Sequence, residues 1–489
     1  MIVETLLASA ARCADRPAVA DPFRSLDYRN LARFADVMRR QVERASDAAH
    51  VGLMMPSTCS FAGTFYGMLW AGRVAVPLNF LLQPAELAAV VEDADIDTIV
   101  AVRAFRKLLD PLPVRVVYIE DLPLRREMLL QRLRRTTPTP TVPEDDTAVL
   151  LYTSGTSGEP KGVCLTRRSL RCDIDGCIKL AALKGKHRFL GVLPLFHTFG
   201  LTAMLLVPVT LGASAYYLPR FQPAAVIRTV REQRTSILMM IASMYAALLR
   251  VKSGGPDDFR TVEYPISGGE ALPRAVFDAF KRKFGIDIVQ GYGMTEASPV
   301  VSINVPWDRR VGTVGQAIEG VTVRAFDDDG NELPAGRIGE LRIRGPIVMR
   351  GYYKKEAATR NALTTDGWYK SGDMGAVDAD GYITITGRKK EMIIVGGENV
   401  YPREIEAVLD EHPAVAESAV IGRPDASRGE VVAAFVIPTE GAETTESALR
   451  DYCRKYIAGY KVPRRIVLAT DLPRGPTGKI LKRALRELL

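Results

Sequence analysis

The sequence predicts an α/β protein built from two blocks of alternating strands and helices, an antiparallel β region, and a smaller α+β unit at the carboxy end. Three observations carry that expectation. The chain has 489 residues, 47% of them hydrophobic and 25% charged, which is too long for one compact core and too apolar for disorder. Short apolar runs alternate with amphipathic segments over residues 26–119 and again from Ala148 to about Asn304. After Asn304 the pattern shifts to short alternating runs punctuated by Asp-Gly turns.

In the first block, Val51 to Met55, Val74 to Leu78 and Thr98 to Val102 read as strands, with helices at Phe61 to Trp70 and Glu86 to Val91. Gly72 stops the first helix and Pro84 opens the second, as expected of βα units around a mostly parallel sheet. A polar stretch from Thr136 to Asp146, with Pro138, Pro140 and Pro143, reads as a connection or surface loop. Beyond the second block, Val321 to Phe326, Ile338 to Ile343 and Tyr382 to Thr386 read as antiparallel strands. Past Arg388, segments at Pro402 to Leu409, Val415 to Ile421, Val431 to Ile437, Glu446 to Tyr456, Ile466 to Ala469 and Ile480 to Leu485 form the last unit. The expected division is 1–387, subdivided at about 145 and 305, and 388–489.

The net charge of +8 raises a nucleic-acid or membrane reading, so its location matters. The last forty residues hold eleven Lys/Arg against three Asp/Glu, and the first 449 residues balance at 54 of each. Tyr452, Tyr456 and Tyr460 are spaced as one helix face, not as a base-stacking surface, so no nucleic-acid partner is expected. Met1-Ile2-Val3-Glu4 lacks the positive start of an export signal, and Pro208 and Gly212 interrupt the apolar run from Leu201 to Leu218. Neither an export signal nor a transmembrane segment is expected. The six cysteines form no CxxC and the four histidines are scattered, which argues against zinc and suits a cytoplasmic, reduced chain.

After the strand-like Ala148 to Tyr152 comes Thr153-Ser154-Gly155-Thr156-Ser157-Gly158-Glu159-Pro160-Lys161-Gly162. Hydroxyls, glycine backbone N–H groups and Lys161 can all point at phosphate oxygens, although Pro160 departs from the GxxxxGK[ST] pattern. Phosphate binding and a plain surface turn both remain open on composition alone. Four segments follow in order: Gly291-Tyr292-Gly293-Met294-Thr295-Glu296, Tyr369-Lys370-Ser371-Gly372-Asp373, Gly387-Arg388-Lys389-Lys390-Glu391, and Pro473 to Lys479.

Together these motifs closely resemble the adenylate-forming, acyl-activating superfamily of acyl-CoA synthetases, peptide-synthetase adenylation domains and beetle luciferases, from about residue 20 to the end. The resemblance implies a large amino-terminal domain of two doubly wound subdomains plus a β-rich one, and a small mobile carboxy-terminal domain. It implies attack of a carboxylate on the α-phosphate of ATP, then displacement of AMP by a thiol. The loop Thr153, Ser154, Gly155, Thr156, Ser157, Gly158 and Lys161 would hold the β- and γ-phosphates. Tyr292 would lie on adenine, Thr295 would bond the α-phosphate, and Glu296 would hold Mg²⁺. Gly269, Glu270, Gly291, Gly293 and Met294 join the cofactor-contacting positions. Asp373 would accept from both ribose hydroxyls, and Arg388 would add a ribose or phosphate contact. Lys479 would span carboxylate and α-phosphate as a fixed cation. Lys390 matches the pivot of the small domain, Gly396 and Gly397 the loop lining the thiol path, and His197 a gate between acyl pocket and thiol tunnel. Arg167 departs from the pattern, since relatives often carry histidine there.

ATP, Mg²⁺ and coenzyme A are therefore the expected cofactors and co-substrates. The pocket stretches around Tyr245, Ser267 to Glu270 and Met294 to Val300 offer no cation for a second carboxylate, which favours an apolar monocarboxylic acid. Ser298 to Asn304 and Gly459 to Pro463 look most like fatty acyl-CoA synthetases, while coumarate-, benzoate- and succinylbenzoate-type aryl-CoA ligases share most motifs. Transfer to an acyl carrier protein is an alternative, disfavoured because no extra segment fits between Gly351 and Asp373. An amino-acid substrate lacks its expected aspartate near Gly191-Val192-Leu193. A non-catalytic scaffold has no need of Thr295, Glu296, Asp373, Arg388 and Lys479 together. A monomer or homodimer is expected.

Overall fold

The computed structural model describes residues 2–134, 137–154, 160–425, 427–439, 441–474 and 480–488. The first sheet has seven strands, of which His50–Met54, Val74–Pro77, Thr98–Ala101, Arg115–Tyr118 and Thr147–Ser154 run parallel. Pro160–Thr166 and Gly351–Tyr352 then extend it antiparallel. Its central helix, Cys59–Trp70, starts where the Thr58 side chain accepts from the Phe61 N–H, and every one of its residues is buried. Burial on all sides explains why it reads as a continuous apolar run without an amphipathic stripe.

The second sheet has nine strands. Val289–Gly293, Tyr264–Ser267, Ile237–Met240, Arg188–Gly191, Ser214–Tyr217 and Pro17–Ala20 are parallel, with antiparallel strands at both edges. Sheet membership therefore crosses a division near residue 145 in both directions. The strands at Pro17–Ala20 and Ser25–Asp27 belong to the second sheet, and the hairpin Thr147–Thr166 belongs to the first. The Pro/Thr-rich stretch packs against the first block, where Trp70 Nε1 donates to the Pro138 carbonyl and Arg39 to Thr137 Oγ1.

Thr322–Phe326, Gly339–Arg344, Tyr369–Val377 and Ile383–Arg388 form the expected antiparallel sheet. One core runs through both α/β sheets into it, including Phe65, Tyr217, Ile266 and Leu341. The carboxy-terminal residues bury cores of their own, one around Ile405, Val432 and Leu449, the other around Phe435, Leu472 and Leu485. Much of the basic tail is neutralised locally: Lys461 binds Glu404 at 2.6 Å, Arg454 binds Asp451 at 2.5 Å, and Arg450 pairs with Glu446. Among the described residues no helix is long and apolar enough to cross a membrane.

Candidate functional site

Strand Val289–Gly293 ends the parallel part of the second sheet, and the chain then turns through Met294 to Pro299. The turn is held from several sides. Met294 N donates to the Pro299 carbonyl at 2.9 Å, and Thr202 Oγ1 to the Ser298 carbonyl at 3.1 Å. Val300 N donates to Asp173 Oδ1 at 2.9 Å, and burial keeps that accepting carboxyl well above the usual carboxylate range. A side chain at Gly293 would place its Cβ 2.0 Å from the Pro299 carbonyl oxygen. Gly293→Ala is thus expected to destabilise the fold by about 1–3 kcal/mol and to displace Thr295. A thermal melt paired with nucleotide titration checks it, and an unchanged melt would show that the turn can yield.

Thr295 Oγ1 accepts from Thr198 Oγ1 at 2.9 Å, which brings the helix start next to His197 against the candidate α-phosphate residue. His197 stands immediately before that helix, half-buried, its ring 4.6 Å from Phe196. Glu296 Oε1 accepts from the Tyr352 hydroxyl at 3.0 Å, while Oε2 meets no hydrogen-bond partner among the described residues. Those residues hold no cluster of three metal-ligating side chains. A single carboxylate with one oxygen open suits Mg²⁺, a hard cation that completes its shell with phosphate oxygens and water.

Asp373 and Arg388 are directly opposed on paired strands, and Arg388 Nε lies 2.6 Å from Asp373 Oδ1. The second oxygen accepts from the Tyr292 hydroxyl at 2.6 Å. Asp373 is 4% exposed, and burial raises its pKa against the opposing pull of Arg388 and Tyr292. Two motifs separated by some eighty positions thus meet at one carboxylate. Arg403, on helix Pro402–Asp410, adds a further charge felt by Asp373, and burial lowers its own pKa. Tyr352, Thr198 and Arg403 were not anticipated, because each reaches the site across a long sequence gap with no local pattern to mark it.

The phosphate-loop residues Gly155, Thr156, Ser157 and Gly158, and the Ser154 side chain, lie outside the described residues, as does Lys479. Their bases are described. Thr153 pairs with Lys161 and Ser154 with Pro160, so the described residues on either side of the loop are antiparallel neighbours. Arg474 bridges to Ile480, and Lys482 binds Glu406 at 2.7 Å and Glu391 at 3.2 Å, three residues beyond Arg388.

Lys390 is exposed in a short turn just after Arg388. Gly396 and Gly397 form the two-residue turn between Ile393–Val395 and Glu398–Val400, both with positive φ, where added side chains would meet open space. Gly269 also has positive φ, and Glu270 accepts from the Ser243 N–H at 2.6 Å, at the start of helix Ala242–Leu249. Tyr245 is a correction: it is fully buried, its hydroxyl bonds the Leu238 and Ile266 carbonyls, and it packs on Phe280 instead of facing a pocket.

Comparison with known proteins agrees with this layout. The family model described as AMP-binding enzyme matches residues 6–353, and its C-terminal domain model matches residues 404–479. A long-chain-fatty-acid–CoA ligase of Yersinia pestis is 34% identical over 99% of this chain and 94% of its own. A sulfoacetate–CoA ligase of Cupriavidus necator is 34% identical over 96% and 94%. The crystal structure of the anthranilate–CoA ligase AuaEII with anthranoyl-AMP superposes with a TM-score of 0.91 at 30% identity, covering 100% of this chain and 96% of that one. The chain accordingly belongs to the AMP-binding enzymes and is an adenylate-forming acid–thiol ligase.

Proposed function

We propose that this ligase, which draws on ATP, Mg²⁺ and coenzyme A, activates an apolar monocarboxylic acid, with medium- and long-chain fatty acids favoured. One observation carries the reading. The segments around the candidate nucleotide residues, 191–201, 239–249, 266–271 and 291–301, contain no Lys or Arg. Phe199, Ile241, Met244, Met294 and Val300 there pack against the main core. A second acid group would lie beside them without a counter-charge, at a cost of several kcal/mol.

Within that reading, Asp373 and Arg388 hold the ribose, Tyr292 the adenine face, and Thr295 the α-phosphate. The hairpin Thr153–Lys161 cradles the outer phosphates. Glu296 would hold Mg²⁺, which supplies neutralising charge between phosphate oxygens. Lys479 brings a cation to the point where two anions must approach. Rotation about Lys390 would exchange Lys479 for Gly396 and Gly397, where the absence of side chains leaves room for a pantetheine arm. All six cysteines are free, which suits a reducing, cytoplasmic compartment.

The test is pyrophosphate release across straight-chain acids from acetate to stearate, with benzoates and cinnamates alongside, each with and without coenzyme A. Turnover is expected to peak among the longer aliphatic acids and to need coenzyme A. A maximum on benzoate or cinnamate would replace this reading by an aryl-CoA ligase, and turnover only with an acyl carrier protein would replace the acceptor.

A further inference from the structure

The segment Gly351-Tyr352-Tyr353 belongs to none of the roles above, yet its first tyrosine touches two of the groups they name. Its position is fixed by the backbone. Gly351 pairs with Cys164 and Tyr352 with Val163, and Tyr353 N donates to the Gly162 carbonyl at 2.8 Å. Tyr352 N donates to Thr359 Oγ1 at 2.9 Å, so the short strand is tied on both sides. Its ring consequently lies beside the hairpin arm that carries Lys161, whose Nζ stands 5.4 Å from the ring centroid, within reach of a cation–π contact.

From the other end of the ring, the hydroxyl donates to Glu296 Oε1 at 3.0 Å. The hydroxyl thus engages Oε1, while Oε2 meets no hydrogen-bond partner among the described residues.

We propose that Tyr352 is a positioning residue that sets the spacing between the Glu296 carboxylate and the Lys161 ammonium, coupling the metal-holding group to the phosphate hairpin. The proposal rests on the reading of Glu296 as the Mg²⁺ carboxylate. It acts through geometry, since Tyr352 touches neither reacting atom.

Calorimetric titration of ATP, in Mg²⁺ and separately in EDTA, reads the metal's contribution as a ratio of two affinities without any turnover. Glu296→Gln is expected to collapse that ratio. Tyr352→Phe keeps the ring and removes the donor, so it is expected to lower the ratio about tenfold while leaving the metal-free affinity unchanged. Tyr352→Leu removes the ring as well and is expected to weaken metal-free ATP binding in addition. A wild-type ratio in Tyr352→Phe alongside a collapsed one in Glu296→Gln would overturn the positioning role and leave the metal reading standing. A wild-type ratio in Glu296→Gln would overturn the metal reading itself, and the inference with it. Tyr352→Phe is isosteric, and a melt matching wild type confirms that its ratio is read on folded protein.

Discussion

Lys479→Ala is expected to lower acid-dependent ATP–pyrophosphate exchange by about 10²–10³-fold, the loss typical of one removed group that stabilises transition-state charge. Thioester formation from a supplied acyl-adenylate is expected to remain near wild type, because the charge Lys479 would neutralise exists only while carboxylate and triphosphate approach each other. The surrounding fold gives no reason for collapse. Lys482 holds the following residues through Glu406 and Glu391, and Leu481 N donates to the Pro473 carbonyl at 2.8 Å, so the loop base stays tied without the Lys479 side chain. Measuring both half-reactions on one preparation decides the matter. Equal loss in the two would remove Lys479 from its assigned role.

Asp373→Ala is the second large effect. Removing a carboxylate that receives charge-assisted hydrogen bonds costs about 1.5–3 kcal/mol per bond, which corresponds to a rise of roughly 10- to 100-fold in the KM for ATP. Part of the effect is indirect: Tyr292 loses the acceptor of its half-buried hydroxyl and Arg388 its counter-charge. Asp373→Asn separates the two contributions, since an amide keeps one oxygen acceptor for Tyr292 and cannot neutralise Arg388. KM is expected to rise for Asn and further for Ala, with the acid KM little changed. An unchanged ATP KM in both variants would take Asp373 out of the ribose site.

Much of this site could be read from the chain because its residues sit in short, polar, glycine-bearing segments whose order is distinctive. Asp373 and Arg388 were legible as separate motifs. Their facing register was not, because a shift in the ladder between Met374 and Gly375 decides which residues oppose. Tyr352 was hidden for a different reason. Its partner Glu296 is 56 positions away, and a lone tyrosine in a two-residue strand leaves no periodic trace. Tyr245 misled because a buried aromatic and a pocket aromatic look alike in sequence, and only its two carbonyl partners assign it to the core. The interleaving of the two large sheets was equally invisible: Pro17–Ala20 is four residues long and does not announce which sheet it will join.

The short strand at Gly351–Tyr352 also has a bearing on how the molecule is made. Until it emerges from the ribosome, the arm Pro160–Thr166 presents a bare edge of unpaired backbone groups, the kind of template on which nascent chains associate wrongly. Nearly two hundred residues must be synthesised between that arm and its cover. The same two residues that finish the sheet also deliver the tyrosine beside Glu296, so a chain interrupted before this point lacks a sealed edge and the hydrogen bond to that carboxylate together.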